Sequence, residues 1–191
     1  LKQRFQSLSK KLKKELIILK YRGPNMTSEF TVRQAQLTDI NDIIKINRLC
    51  LPENYSFDFF YRILSEFGYA CAVGEVNREV VGYLLSRIER PFSSFIGLNP
   101  SKGHVISIAV LPQYRRQGLG LLIMKYGMKK LIEHKVDSIY LEVRVSNVAA
   151  VEMYKKLGYY IKREFKQYYR DGESAFVMEW GKKDSNEENQ E

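Results

Sequence analysis

The sequence predicts an α/β (α+β) fold, a mixed central sheet of about seven strands with helices on both faces. Three observations carry that expectation. Short β-branched runs alternate with amphipathic helical stretches, their order is β-α-α-β-β-β-α-β-α-β-β, and one strand runs directly into a basic, glycine-containing loop that opens a helix. The 191 residues, 45% hydrophobic and 13% aromatic, suffice for one domain with a substantial core and some tail.

Each element has its own signal. A strand is expected near Phe30–Ala35, followed by a helix that Thr38 or Asp39 can cap and that carries Ile40, Ile43, Ile44 and Leu51. A second helix spans about Phe57–Phe67. Tyr69–Gly74 and Val80–Ile88 read as two strands of a hairpin, joined by a Glu-Val-Asn-Arg turn. Pro91–Gly103 is polar and punctuated by Gly and Pro, so it reads as a loop. His104–Val110 is a β-branched strand, Leu119–His134 a helix and Ser138–Val143 another strand. Asn147 opens a helix to Leu157 that Gly158 ends, and strands near Tyr159–Phe165 and Ser174–Trp180 complete the order.

The charge is uneven. Of the net +9, residues 1–22 hold +7, with eight Lys/Arg against Glu15, which leaves +2 for everything after. A folded domain that gripped nucleic acid would carry its basic stripe within the fold, so that class is disfavoured. Leu1, Phe5, Leu8, Leu12, Leu16 and Leu19 recur at helical spacing among the lysines, a basic amphipathic pattern that could contact a ribosome, RNA or an anionic surface. Gly23-Pro24-Asn25 breaks it before Met26, so residues 1–25 read either as a functional extension or as a segment upstream of a start. Residues 28–181 form the expected domain, and the polar, acidic residues 182–191 the expected disordered tail. Without an apolar run long enough to span a bilayer, or a secretory leader, a cytoplasmic protein is expected, as a monomer or weak oligomer. Cys50 and Cys71 sit in apolar segments and read as free thiols. His104 and His134 lie in different elements, so no metal site is expected.

The most informative stretch is Val110-Leu-Pro-Gln-Tyr-Arg115-Arg116-Gln117-Gly118-Leu119-Gly120. Its glycines let backbone approach a ligand, the N–H groups of the first helical turn point outward with a positive dipole end, and Arg115 and Arg116 add charge-assisted contacts, all suited to a pyrophosphate. About thirty residues on, Asn147-Val-Ala-Ala-Val-Glu-Met-Tyr154-Lys-Lys-Leu-Gly158-Tyr159 places Asn147 and Tyr154 on one helix face. Read by itself, Asn147 is equally a plain N-cap, and Tyr154 an aromatic that anchors its helix to the sheet.

Taken together, the two stretches resemble the GNAT acetyltransferase family over roughly Phe30–Trp180. The resemblance implies acetyl-coenzyme A as co-substrate, held by Arg115, Arg116, Gln117, Gly118, Leu119 and Gly120 at its pyrophosphate. It further implies that Ile108, Ala109 and Val110 hold it along strand backbone, and Asn147 and Tyr154 along its arm. Tyr154 would protonate the leaving thiolate, and the N–H of Ala109 or Val110 would receive the oxyanion.

Three further segments are Leu51-Pro52-Glu53-Asn54-Tyr55, Gly103–Val110 and Tyr168-Tyr169-Arg-Asp-Gly-Glu-Ser-Ala175. They resemble the catalytic subunit of N-terminal acetyltransferase A, in the compact archaeal form. This implies a protein N-terminus as acceptor, with Leu51, Pro52, Glu53, Tyr55, Tyr168 and Tyr169 around it, and His104 and Glu142 binding a water that takes the amine proton, with Glu53 a second base. Residue by residue, plainer readings stand beside these: Pro52 as a helix connection, Asp171-Gly172 as a hairpin turn, His104 as a strand-entry residue, and Glu142 as the partner of Arg144 or a lysine. Alternation along the strand does turn Glu142, with Tyr140 and Arg144, away from the face of Ile139, Leu141 and Val143.

Chemistry agrees with an α-amine, whose pKa of about 7.7–8.0 lies about 2.5 units below that of a lysine, so a modest base or a water relay suffices. The rival expectations are a ribosomal-protein, lysine or polyamine acetyltransferase of the same fold, or a non-catalytic coenzyme-A-binding module that docks on the ribosome.

Overall fold

The structure, a computed structural model, describes residues 29–90 and 100–181. The basic segment 1–22, the possible extension 1–25, residues 91–99 of the expected loop and the tail 182–191 lie outside the described residues. Among the described residues eleven main elements follow in the expected order: β1 (Phe30–Gln34), α1 (Ile40–Cys50), α2 (Phe57–Phe67), β2 (Ala72–Val76), β3 (Glu79–Glu89), β4 (Lys102–Val110), α3 (Leu119–Glu133), β5 (Ser138–Arg144), α4 (Val148–Lys156), β6 (Tyr160–Phe165) and β7 (Ala175–Gly181). The seven strands belong to one mixed sheet, the α/β class the sequence predicts. The chain divides into two compact units, one of residues up to Arg87 with Val105–His134, the other of Ile88–His104 with the residues from Lys135 on.

In the first unit β1 and β2 pair antiparallel, as do β2 and β3. Asn77 and Arg78 both adopt positive φ, 51° and 69°, the twist that a two-residue hairpin needs. The apolar faces of α1 and α2 cover a core that includes Ile43, Ile46, Phe60, Ile63, Val73, Tyr83 and Leu85. One polar group lies inside it. The buried Tyr83 hydroxyl is hydrogen-bonded to Asn47 Nδ2 at 2.9 Å and to Ser107 Oγ at 2.8 Å, and burial pushes its pKa up to about 12.

The boundaries depart from expectation where local hydrogen bonds compete. Asp39 precedes α1 without capping it. Its carboxylate instead accepts the Gln36 N–H at 2.8 Å and a two-pronged bond from Arg33 at 2.7 and 2.8 Å, which closes a 3₁₀ turn over Leu37–Asp39. Gly68–Ala70 form a second 3₁₀ turn, so β2 starts at Ala72, and β4 reaches back to Lys102, so Lys102 and Gly103 are strand and not loop.

In the second unit β7 pairs antiparallel with β5 on one side and β6 on the other. Ile139 and Leu141 of β5 are buried on the face they share with Trp180 and Met178 of β7, and Val143 with them, while Tyr140, Glu142 and Arg144 stand on the opposite, half-exposed face. Asn147 caps α4 by accepting the Ala150 N–H at 3.2 Å, and Gly158 ends the helix at φ 90°.

Candidate active site

The residues singled out in the sequence fall in both units, and each group is built up within its own. In the first unit the end of β4 is tied down: the Val110 carbonyl accepts the Arg115 Nε–H at 2.8 Å and the Cys50 thiol at 3.6 Å. Pro112–Tyr114 make a single 3₁₀ turn, Arg116 adopts φ 62°, and Gly118 at φ 91° stands at the N-cap of α3. The first helical bond runs from the Leu122 N–H to the Gly118 carbonyl at 3.1 Å. The N–H groups before it have no acceptor within the helix and form its positive end. Arg115 and Arg116 are exposed and Gln117, Gly118 and Gly120 half-buried, so backbone donors and cations fit a diphosphate here. Two of the expected side chains work within the loop, however. Arg115 Nε braces Val110, and Gln117 Nε2 donates to the Gln113 carbonyl at 3.0 Å.

Two glycines seat α3. Gly74 and Gly82 face each other across β2 and β3, and a Cβ on Gly74 would stand 2.8 Å from the side chains of Leu119 and Ile123. A Cβ on Gly82 would stand 3.0 Å from the Ala109 carbonyl and from Ile123. This close approach of helix to sheet sets the start of α3 against the end of β4, with Ala109 and Val110 buried and Ile108 half-buried.

The segment Leu51–Tyr55, also in the first unit, links α1 to α2. Leu51 and Tyr55 pack against the core, Tyr55 stacks on Phe59 with centroids 4.4 Å apart, and Asn54 Nδ2 donates to the Pro52 carbonyl at 3.2 Å. Pro52 is exposed and Glu53 half-buried.

The second unit brings His104 and Glu142 together. Nε2 of His104, at the start of β4, lies 2.9 Å from Oε2 of Glu142 on β5. Glu142 is therefore partnered by His104, while Arg144 bonds Asp171 and Glu173, each at 2.7 Å. The imidazole also stacks on the Tyr140 ring, centroids 4.3 Å apart and 9° from parallel, with Nδ1 3.5 Å from Oε1 of Glu89. The side chains of His104 and Glu142 are only 14% and 17% exposed, dry enough for a proton held between them to matter and open enough to be reached.

Tyr154 of α4 is buried, 5.8 Å from the Tyr159 ring, and burial holds its phenol well above the ordinary pKa. Asn147, seven residues earlier, spends its side-chain oxygen on the cap. Tyr168 and Tyr169 lie between β6 and β7, with rings in edge contact at 5.0 Å. Tyr168 is exposed, whereas Tyr169 is half-buried beneath the Arg144 guanidinium, 3.9 Å from its centroid. The turn closes with the Gly172 N–H donating to the Tyr169 carbonyl at 2.9 Å.

The GNAT acetyltransferase family model matches residues 40–159, which include the α3 loop, His104, Glu142 and the Asn147–Tyr154 helix. The chain belongs to the GNAT acetyltransferase family. Among its members it is similar to the N-alpha-acetyltransferase of Sulfurisphaera tokodaii, 50% identical over 78% of this chain and 92% of that protein. It is also similar to the N-alpha-acetyltransferase of Saccharolobus solfataricus, 48% identical over 78% and 92%. The solved structure of Ard1 from Thermoplasma volcanium superposes with a TM-score of 0.69 at 26% identity, covering 79% of this chain and 96% of that one. The expected class is borne out: this GNAT protein is an acyltransferase of the N-alpha-acetyltransferase kind, and the ribosomal-protein, lysine, polyamine and docking-module alternatives are not favoured.

Sequence reasoning missed Glu89 and Tyr140 around His104, and the Asp171–Glu173 anchor of Arg144. Alternation along β5 had placed Tyr140 on the same face as Glu142, and that signal could have found it. Among the described residues, no helix is long and apolar enough to cross a membrane.

Proposed function

We propose that the protein transfers the acetyl group of acetyl-coenzyme A directly to the α-amine of a protein N-terminus, within one catalytic domain of residues 28–181. The observation that carries this reading is the α3 loop. Its left-handed Gly118, exposed arginines and the first-turn N–H groups that a helix start leaves without intrahelical acceptors suit a diphosphate, in a chain whose family transfers acetyl groups. Solved structures of similar fold include NAA60 of Arabidopsis thaliana in complex with acetyl-coenzyme A.

The chemistry then assigns roles. Backbone N–H groups of Arg116–Gly120 hold the diphosphate, with Arg115 and Arg116 adding charge, while the backbone of Ile108–Val110 and the side chain of Asn147 line the coenzyme arm. Leu51, Pro52, Glu53, Tyr55, Tyr168 and Tyr169 receive the first residues of the peptide. The His104–Glu142 pair, through a water, takes one proton as the neutral amine attacks the thioester carbon, and Glu53 is a second acceptor. The N–H of Ala109 or Val110 donates to the oxyanion, and collapse breaks the carbon–sulfur bond while the Tyr154 phenol protonates the thiolate. Burial keeps the Tyr154 phenol protonated in the resting enzyme, and because the same burial weakens it as an acid, the role rests on its place in the matched motif and not on its pKa.

The free thiols of Cys50 and Cys71 support a reducing, cytoplasmic setting. Residues 1–22 are assigned to ribosome or RNA contact, and the catalytic unit to a monomer or weak oligomer.

The test is calorimetry with acetyl-coenzyme A, followed by time-resolved mass spectrometry of a mixed peptide library. Saturable uptake and acetylation confined to peptide α-amines are expected, with no acetyl-enzyme from the donor alone. Folded protein that takes up no acetyl-coenzyme A, or that prefers spermine to every peptide, overturns the reading.

A further inference from the structure

Glu89 is the last residue of β3, and in the second unit it meets His104 and Tyr140 together. Its two carboxylate oxygens have different work. Oε2 accepts the Tyr140 hydroxyl at 2.9 Å, and Oε1 stands 3.5 Å from His104 Nδ1, an atom buried with no hydrogen-bond partner among the described residues. Tyr140 also stacks on the imidazole at 4.3 Å, so one tyrosine holds the ring by its face and the carboxylate by its hydroxyl. On the other side Nε2 lies 2.9 Å from Glu142. The histidine is thus held on three sides by residues of β3 and β5.

A buried imidazole N–H without an acceptor costs free energy, and the Glu89 carboxylate is the acceptor that stands nearest to Nδ1. With Nδ1 carrying its proton toward Glu89, Nε2 keeps its lone pair, and the one proton taken from the amine comes to lie between Nε2 and the Glu142 carboxylate. An imidazole free to rotate about χ2 would divide its time between this arrangement and the flipped one, in which the lone pair points elsewhere.

We infer that Glu89 is a positioning residue for the acetyl transfer: through Tyr140 and directly at Nδ1, it fixes the tautomer and orientation of His104 so that Nε2 faces Glu142. The inference rests on the assignment of His104 and Glu142 as the proton-accepting pair. No bond to substrate is made by Glu89, and one proton moves, from the amine to the His104–Glu142 pair; the Nδ1 proton stays in place. The energetic logic is that of a carboxylate holding a catalytic histidine in one tautomer.

The experiment compares full-length Glu89→Gln, Tyr140→Phe, His104→Ala and the Glu89→Gln/His104→Ala double variant in steady-state peptide acetylation, with melting temperatures measured alongside. Glu89→Gln keeps the size and removes the charge. It should lower kcat about tenfold, a fraction of the hundredfold or more that a general base contributes, while leaving KM for acetyl-coenzyme A and peptide unchanged. Tyr140→Phe keeps the stack and loses the hydroxyl, and should lower kcat less. In the His104→Ala background Glu89→Gln should have no further effect, because Glu89 acts through that ring. Full kcat in Glu89→Gln beside a slow His104→Ala overturns the inference, and so does a loss that adds to that of His104→Ala. Full activity in His104→Ala is a distinct result, since it removes the underlying assignment of the base.

Discussion

The α3 loop in the first unit and the His104 cluster in the second are built on opposite plans. The loop is a continuous run of chain, Val110 to Gly120, whose chemistry belongs to the backbone: a left-handed glycine, outward N–H groups and a tied-down strand end. The cluster is made of side chains brought from the end of β3, the start of β4 and the middle of β5, each oriented by another. A backbone site is broken by changing conformation. A side-chain site is broken by deleting a single functional group.

The largest effect is expected at the cluster. His104→Ala and Glu142→Gln should each lower kcat about a hundredfold, as loss of a general base does, with KM for acetyl-coenzyme A little changed. If either variant instead raised that KM and kept kcat, the division of labour between the two regions would be wrong. Next comes Gly118→Ala in the loop. An L-residue in the left-handed region costs about 1–2 kcal/mol, and alanine escapes that strain only by turning the first-turn N–H groups away. KM for acetyl-coenzyme A should rise about tenfold with kcat nearly intact, which is the converse of the pattern at His104.

The same contrast explains what was legible in the sequence. Neighbouring residues encode the loop, so glycine spacing and the strand-to-helix context expose it. The element order likewise follows from local periodicity. His104 and Glu142 are 38 positions apart and Glu89 and Tyr140 are 51 apart, so only the fold makes them neighbours. The alternation of β5 turned Glu142 to the correct face, and the family resemblance supplied His104. Glu89, a charged residue before Pro91, carried no local signal at all. The errors at Asp39 and at the start of β2 share one cause: short-range hydrogen bonds closed 3₁₀ turns that compete with regular helix and strand. Gly74 and Gly82 read as weak strand positions, and their use emerges only from their pairing beneath α3.

Gly82→Ala tests whether that close seating matters to the loop. The added Cβ would meet the Ala109 backbone carbonyl at 3.0 Å, and backbone cannot swing aside as a side-chain tip can. Overpacking of this kind costs roughly 2 kcal/mol, or about 4–8 °C in melting temperature for a chain of this size. The strain falls at the end of β4, so KM for acetyl-coenzyme A should also rise in assays run well below the melting transition. A lower melting temperature with an unchanged KM would mean that the loop is set by its own hydrogen bonds alone.

The smallest effect belongs to the anchor of Arg144, and it separates side-chain positioning from stability. Hydrogen bonds from the Ser146 side chain and backbone N–H, followed by the bond from Arg144, hold the Glu173 carboxyl down at about 2, against an ordinary 4.5. A carboxylate with a depressed folded-state pKa adds stability that is present above its unfolded value and lost as pH falls through the folded one. Between about pH 4.5 and 2 the parent protein should therefore lose stability more steeply than Glu173→Gln, and above that window the variant should be slightly the less stable. The Glu173 side chain is 28% exposed and open to solvent at its carboxylate, so screening keeps the difference small. Thermal melts of both proteins across that range measure it. Parallel curves would show that Ser146 and Arg144 do not favour the charged form. Activity supplies the second readout: Arg144 lies 3.9 Å over the Tyr169 ring, so loosening its anchor should raise KM for peptide about twofold, near the value of one weak surface interaction, and leave KM for acetyl-coenzyme A unmoved.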